Sequence, residues 1–407
     1  MTDATIMYVF LFVSLYFEVF MLVSFLERRG QKTVESIMNL EKLPHFAVVV
    51  PAYNEENSIG ATIESLLQLN YPKDKLDIIV VDDGSRDETY KVAMRYTDDP
   101  RVQVYKKENG GKYTAMNFAL ARTNAEFIGC LDADSTVAPD ALRNMVPAFQ
   151  DPKVAAVTPG VLIKKPETLL QYMQEAEYRL SVFNRFTQAA LGAAFITPGA
   201  FSMFRVSFVR ATGGWRHAHS TEDLEMALRI QDSDYIIGNA PGAVVYTGTP
   251  RTFAKLFHQR VRWTYGFLRN ALDYKHMFGN PRYGNLGLVI LPTAVVSIGI
   301  ALYFFIRIVY YTLIDIGHII MRYEIAGFFF HPAFNPFYIN TSAMWFLIYA
   351  SVTIVIALVC TGSFIGTGRA MPPRGTPLFV IFYCFLVPTW LGTAVIRAVF
   401  KTGVRWR

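Results

Sequence analysis

Four stretches of this chain, residues 6–26, 286–311, 341–360 and 377–400, are each long and apolar enough to cross a bilayer as a helix, which takes roughly 20 mostly apolar residues. No other feature constrains the fold as strongly. The block between about residues 28 and 285 has no such stretch, so the chain reads as an anchor, a water-facing block and a set of spans behind it. Composition agrees: 52% of residues are hydrophobic and only 18% charged, an unusual balance for a chain wholly in water. The first stretch is too long for the apolar core of a signal peptide, its start is acidic and its charges follow it, so it is expected to stay as an anchor.

Glu27, Arg28, Arg29 and Lys32 come directly after that anchor. The positive-inside rule then sets the amino terminus outside and the large block in the cytoplasm, in an integral protein of the plasma or inner membrane. Three spans behind the block would leave Lys401, Arg405 and Arg407 on the outer side, against the same rule. Either the tail is an exception or one of the last three segments is interfacial or re-entrant. Glu18 is costly in lipid, and is expected to face protein or a polar path, or to bond to a neighbouring helix.

Cys130, Cys360 and Cys384 follow neither metal-ligand nor disulfide spacing and read as packing residues. The net charge of +6 is modest and gathers near the membrane boundaries, which suits anionic lipid heads and argues against nucleic acid as a partner.

Within the block, short apolar runs at 46–50, 78–81, 102–105 and 127–131 alternate with helical stretches at 58–69, 87–96, 112–121 and 139–149. Strict alternation implies a parallel sheet covered by helices on both faces, with ligands at the carboxyl ends of its strands. Those ends carry Asn54, Asp83 and Asp132. Residues 164–191 and 251–274 have apolar and aromatic residues at helical spacing, and read equally as core helices or as helices lying on the membrane surface.

Four motifs carry candidate chemistry. Asp82-Asp83-Gly84-Ser85 is either an ordinary acidic turn or a carboxylate pair accepting bonds from a base and a ribose. In Asp132-Ala133-Asp134, alternation along an extended segment would point both carboxylates one way, as one hard cation, Mg2+ or Mn2+, requires. Thr221-Glu222-Asp223 should open a helix, where it is either a plain cap or the place of a general base, Asp223, with Glu222 beside it. Gln259-Arg260-Val261-Arg262-Trp263 brings an amide, guanidinium groups and an indole together. It reads as a basic interfacial helix, or as a platform where the indole stacks on a sugar ring and Arg262 meets diphosphate.

With these motifs in order, preceded by Pro51-Ala52-Tyr53-Asn54-Glu55-Glu56 and interleaved with Gly110-Gly111-Lys112, the chain resembles the processive, membrane-integrated family-2 glycosyltransferases over about residues 47–267. That group includes the cellulose, hyaluronan, chitin and poly-N-acetylglucosamine synthases. The resemblance implies a GT-A-type fold, a Rossmann-like mixed sheet, joined to a transmembrane helical bundle with interfacial amphipathic helices. It implies an inverting, metal-dependent transfer from a UDP-sugar, with UDP-N-acetylglucosamine as the leading donor, onto a growing beta-linked chain that leaves through the enzyme's own helices. Tyr53, Glu55 and Asp83 would serve the donor's nucleotide end, with Lys112 and Asp132 at the diphosphate and Asp134 on the metal. Asp223 would be the base, Trp263 would floor the acceptor site, and Gln259 and Arg262 would face the donor. Phe364-Ile365-Gly366-Thr367-Gly368-Arg369 resembles a gating loop but lacks its tryptophan, and Pro198 departs from the Ser-Gly of relatives.

The expected parts are an anchor at 1–29, a GT-A block at 30–249, an interfacial helix at 250–285 and spans at 286–407 with a gating loop at 363–375. A carbohydrate or lipid-linked acceptor and membrane lipids are the expected partners. The competing readings are a transferase that adds one sugar to a membrane lipid, and a non-catalytic transport or assembly subunit.

Overall fold

The computed structural model describes residues 3–28, 43–327 and 340–402. Arg29, Lys32, Arg405 and Arg407, which carry much of the charge argument for orientation, lie outside the described residues. Strands β1 (Phe46–Ala52), β2 (Leu76–Asp82), β3 (Val102–Lys106), β4 (Phe127–Cys130), β5 (Thr136–Val137), β6 (Val154–Ile163), β7 (Met203–Arg205) and β8 (Ile236–Thr247) form one eight-stranded sheet in the order β3-β2-β1-β4-β7-β6-β8-β5.

The first half is parallel, as strand-helix alternation predicts: β1 pairs with β2 on one side and β4 on the other. Beyond β4 the expectation of a parallel sheet fails, because β7 inserts antiparallel between β4 and β6, and β5 pairs antiparallel with β8. The whole is the mixed sheet of a GT-A-type fold. Odd and even side chains of the central strands feed two cores on opposite faces. Val48, Val50, Ile78 and Val80 pack on α2 (Ile59–Leu67), with Val49, Ile79 and Val81 on the face of α4 (Lys112–Leu120). Short helices α3 (Thr89–Met94), α5 (Ala141–Met145) and α7 (Val206–Ala211) close the remaining crossovers.

The long helices α6 (Leu169–Ala190) and α9 (Phe253–Asp273) join this block to four helices long and apolar enough to cross a membrane. These are α1 (Asp3–Arg28), α10 (Leu291–Ala326, entered through one π-turn at Leu286–Ile290), α11 (Ala343–Thr367) and α12 (Thr376–Phe400). The motif Thr221-Glu222-Asp223 opens α8 (Glu222–Asp232).

Helix α6 packs both on the spanning-length helices and on the sheet. Leu170 and Met173 pack with α9 and α12, and Phe183 meets α1, while Tyr178 reaches the sheet core. Two glycines let the spanning helices come close. A Cβ on Gly362 would lie 1.9 Å from the Arg179 carbonyl oxygen, and one on Gly375 would lie 2.0 Å from that of Tyr172. Helix α11 continues to Thr367, so of the stretch expected as a gating loop only the part from Gly368 onward is non-helical. Glu18 of α1 accepts from the Ser351 hydroxyl of α11 at 2.8 and 2.9 Å, the inter-helix bond among the alternatives for that residue.

Candidate active site

Register along β1, β2 and β4 brings the turns after Ala52, Asp82 and Cys130 to one edge of the sheet. At the second of these, Asp82 turns its own loop, accepting from the Ser85 amide at 2.9 Å. It is fully buried, and the carboxylate next to it does the reaching. Asp83 accepts from Lys107 Nζ at 2.5 Å and from the amides of Gly110 and Gly111 at 3.0 and 2.8 Å. Gly111 has φ of +89°, which a residue with a Cβ would resist. A carboxylate has about four acceptor sites, so one remains on the Asp83 Oδ2 edge. Tyr53 stands partly exposed beside it, and Asn54, at φ +56°, ties the first turn to the second through Ser85 and Arg86.

The Asp132-Ala133-Asp134 triplet is not extended. Strand β4 stops at Cys130 and the triplet forms a turn, closed by the Ser135 amide on the Asp132 carbonyl at 2.9 Å. The carboxylates are neighbours because of this turn and not through strand alternation. The Ala133 carbonyl is held by Thr62 Oγ1 at 2.8 Å, which fixes the turn to α2. Asp134 sits exposed at the rim, with acidic neighbours on its protein side. Local burial, then the like charges of Asp132 and Glu55, raise its pKa to about 6.

Asp132 instead meets Lys112 at the start of α4, at 2.5 Å, and the same ammonium stands 3.9 Å from Glu222. Burial works against the Lys112 charge, but Asp132, Cys130, Glu222 and Asp223 outweigh it and hold its pKa well above the usual lysine value. One ammonium cannot offset three carboxylates. Burial, only partly opposed by Lys112 and Arg262, leaves both Glu222 and Asp223 above the ordinary carboxylate range.

Thr221 does not cap α8 with its side chain. Its hydroxyl donates to the Ala218 carbonyl at 3.1 Å and accepts from Asn270 of α9 at 2.9 Å. Directly before it, Ala218, His219 and Ser220 all have left-handed φ of +43°, +54° and +66°, a strained approach of the kind found at functional sites. The strain is held by Asn270 on the Ala218 carbonyl and by His219 against Asp273 at 2.8 Å. Gly266 of α9 packs on Thr221, so the helix bearing Gln259, Arg262 and Trp263 directly supports the one bearing Asp223.

On α9, Trp263 is 38% exposed, with the Arg260 guanidinium 4.3 Å from its ring centroid. Arg260 is buried and paired with Glu177 of α6 at 2.6 Å, and Tyr383 of α12 donates to the same carboxylate. The Oε1 of Gln259 is enclosed and has no hydrogen-bond partner among the described residues.

The stretch at 196–201, where Pro198 departs from the Ser-Gly of relatives, closes the site from below. Thr197 donates to the Asp223 carbonyl at 2.6 Å, and a Cβ on Gly199 would stand 2.4 Å from Lys112 Nζ. With Cys130, Pro198 and Trp215, these residues line a small pocket shared by Lys112, Glu222 and Asp223.

The family described as Glycosyltransferase like family 2 matches residues 44–266. Poly-beta-1,6-N-acetyl-D-glucosamine synthase of Staphylococcus aureus is 31% identical over 233 residues, which is 56% of this chain and 56% of that protein. The Staphylococcus epidermidis protein of the same name is 30% identical over 230 residues, 56% of this chain and 55% of that protein. The matched region is thus a little over half the length of these curated relatives. Among solved structures, the mannosyltransferase PcManGT of Pyrobaculum calidifontis, in complex with GDP-Man and Mn2+, aligns with a TM-score of 0.57 at 18% identity. The alignment covers 97% of this chain and 99% of that one, a likeness of fold.

Proposed function

The chain belongs to glycosyltransferase-like family 2, and from that membership we propose that it performs an inverting transfer from a UDP-sugar to a carbohydrate acceptor at the cytoplasmic face of a membrane. The observation that carries this reading is Lys112, a buried ammonium bridging Asp132 and the raised Glu222-Asp223 pair.

Asp223 takes the proton from the attacking hydroxyl, a role for which a carboxyl held above the ordinary carboxylate range is suited. Thr197 on its carbonyl and the Asn270–Thr221 bond hold its position. Lys112 and Arg262 receive the charge that builds on the leaving diphosphate. Tyr53 and the open edge of Asp83 border the uridine, Glu55 braces that turn through Ser58 at 2.6 Å, and Gln259 offers its enclosed oxygen to the donor. Trp263 presents the acceptor platform. One base and an in-line displacement give inversion without a covalent intermediate.

A divalent cation fits the turn at Asp134, where two like-charged neighbours already press on its carboxyl. Among the described residues no group of three or more protein ligands gathers, which is in keeping with Mg2+ or Mn2+ held by one or two carboxylates and the donor's phosphates. Bound there, the ion would supply Lewis-acid neutralisation of the diphosphate.

The match to poly-beta-1,6-N-acetyl-D-glucosamine synthases across the catalytic block supports UDP-N-acetylglucosamine as donor and a beta-linked polymer as product, passed outward along the spanning helices. The non-helical segment after Thr367, with Arg369 exposed, is the proposed gate. Unchanged turnover and donor affinity in Arg369→Ala would remove that role. A second reading, addition of one sugar to a lipid, is favoured by the direct packing of α6 on α1, with Phe183 and Phe186 against Phe25. Purified full-length protein given radiolabelled nucleotide sugars separates the two. A ladder of water-soluble products supports the polymer, a single organic-extractable product supports the lipid, and no transfer from any nucleotide sugar overturns both.

A further inference from the structure

A buried phenol on a helix of spanning length needs a partner for its hydroxyl, because an apolar layer offers none. Tyr383 stands two turns into α12 and is buried. Phe379 and Trp390 of the same helix flank its ring, at centroid distances of 4.9 and 5.7 Å, and fix it in place. Its hydroxyl donates out of α12 to the Glu177 carboxylate of α6. The oxygen that receives it, Oε2, also accepts from Arg260 Nη2 of α9 at 2.6 Å. One carboxylate oxygen thus joins a spanning-length helix to the two long helices that carry the soluble block.

Arg260 carries this junction to the site. Its buried guanidinium lies 4.3 Å from the centroid of the Trp263 ring, one turn further along α9. A partly exposed indole is free to change rotamer; a cation against its face, itself tied to a carboxylate, selects one orientation. One more turn along α9, Gly266 packs on Thr221 ahead of Asp223, so the indole and the base are referred to the same helix. A buried ion pair is weak evidence for stability, since apolar residues of the same volume often serve as well. Its place beside Trp263, and the phenol spent on it where phenylalanine would fill the same space, point to a role in setting geometry.

We infer that Tyr383 and Glu177 are positioning residues for the transfer: through Arg260 they set the orientation in which the Trp263 indole meets the acceptor. This rests on the reading of Trp263 as the acceptor platform, and deepens it by naming what holds the platform and tying it to α12. The donor side has bonds of its own, Asp83 with Lys107 and Lys112 with Asp132, so nucleotide affinity does not follow the clamp.

The test uses the full chain in phosphatidylcholine nanodiscs with UDP-N-acetylglucosamine as donor, and reads UDP release, UDP affinity and acrylamide quenching of tryptophan fluorescence. Trp263→Phe, made in each background, isolates the share of the emission that belongs to Trp263. Tyr383→Phe keeps the ring packing and removes the bond. It should leave UDP affinity and donor KM unchanged, roughly double the quenching of the Trp263 share, and lower kcat about tenfold. Arg260→Lys keeps a point charge on Glu177 without a planar group over the ring, and should do the same. Where Trp263 is already phenylalanine, Tyr383→Phe should lower kcat by less than about twofold more, because the two act as one unit. Unchanged quenching or unchanged kcat in Tyr383→Phe overturns the proposal. So does a fully additive loss in the double variant, or a UDP affinity that falls along with kcat, either of which would make the bond merely structural. Full transfer by Trp263→Phe alone defeats instead the reading of Trp263 as platform, whatever the quenching shows.

Discussion

Gly266 of α9 lies against Thr221, so near that a Cβ there would stand 2.3 Å from the threonine Oγ1 and Cγ2 and 2.9 Å from its Cβ. Rotating Thr221 can relieve only one of the first two contacts, since its Cβ carries a single hydrogen, and leaves the third. Gly266→Ala must therefore move α9 or the start of α8, and with it Asp223. A displacement of about 1 Å can cost about a hundredfold in rate. Gly266→Ala is expected to lower kcat on that scale with UDP affinity unchanged, measured by initial rates and by calorimetric UDP titration.

Asp223→Asn keeps the shape of the site and removes the base. Transfer should fall by about a hundredfold or more. Nucleotide binding should persist, since Asp83 and Tyr53 are untouched. Full product formation by the purified variant would remove the mechanism proposed here.

Asp134 titrates near 6 in the fold against 3.8 for a free carboxyl. The folded chain thus takes up this proton first as pH falls. Its contribution to stability is most favourable below about pH 4 and is lost as pH rises through that interval, with the full cost present above about pH 6. A cation that replaces the proton relieves this cost. Mn2+ should therefore raise the melting temperature more at pH 7.5 than at pH 5, with affinity falling about tenfold per pH unit below 6. Asp134→Asn should abolish the Mn2+ shift at both values.

Gly199→Ala would put a methyl 2.4 Å from the Lys112 ammonium and 3.4 Å from Asp132 Oδ1. The ammonium is the far end of a flexible chain and can swing away. The melting temperature should hardly change, while the Lys112–Asp132 bond is lost. The donor KM is expected to rise about tenfold, the value of one charge-assisted bond. An unchanged KM would show that Lys112 does not serve the diphosphate.

Glu225, buried in the first turn of α8, is gripped by Arg229 of the same helix and accepts from Tyr274 at 2.8 Å. Arg229 also ties the Gly214 and Thr212 carbonyls, the loop that leads into Thr221. Removing one partner of such a buried pair costs about 3–5 kcal/mol. Glu225→Ala should lower the thermal midpoint of unfolding strongly, followed by fluorescence in detergent.

The half of the sheet made of β1 to β4 was legible because β1, β2 and β4 are runs of buried, mostly apolar residues, and β3 is a short run of valines and tyrosine at the spacing of a strand. The other half was not. Strands β6 and β8 contain Pro159-Gly160 and Pro241-Gly242, pairs that punctuate loops in a sequence. In the fold they coincide with a register shift at Pro159/Gly160, where the Pro241 carbonyl approaches so closely that a Cβ on Gly160 would lie 2.3 Å from its oxygen. Asp132, Glu222 and Asp223 could be singled out as candidates from their motifs. The contacts of Thr197 with Asp223, Gly199 with Lys112 and Asn270 with Thr221 could not, because they join positions 26 or more apart, at distances that only the fold creates.

The approaches of Gly362 and Gly375 to the carbonyls of Arg179 and Tyr172 bear on how this enzyme is inherited. The two glycines fit backbone atoms two helical turns apart on one face of α6, as a key fits two wards of a lock. A catalytic block grafted onto the spans of a distant cousin would meet a side chain at one or both places. Transferase and spans are therefore not interchangeable parts: a lineage that exchanged one without the other would have had to reacquire both glycines at the same spacing.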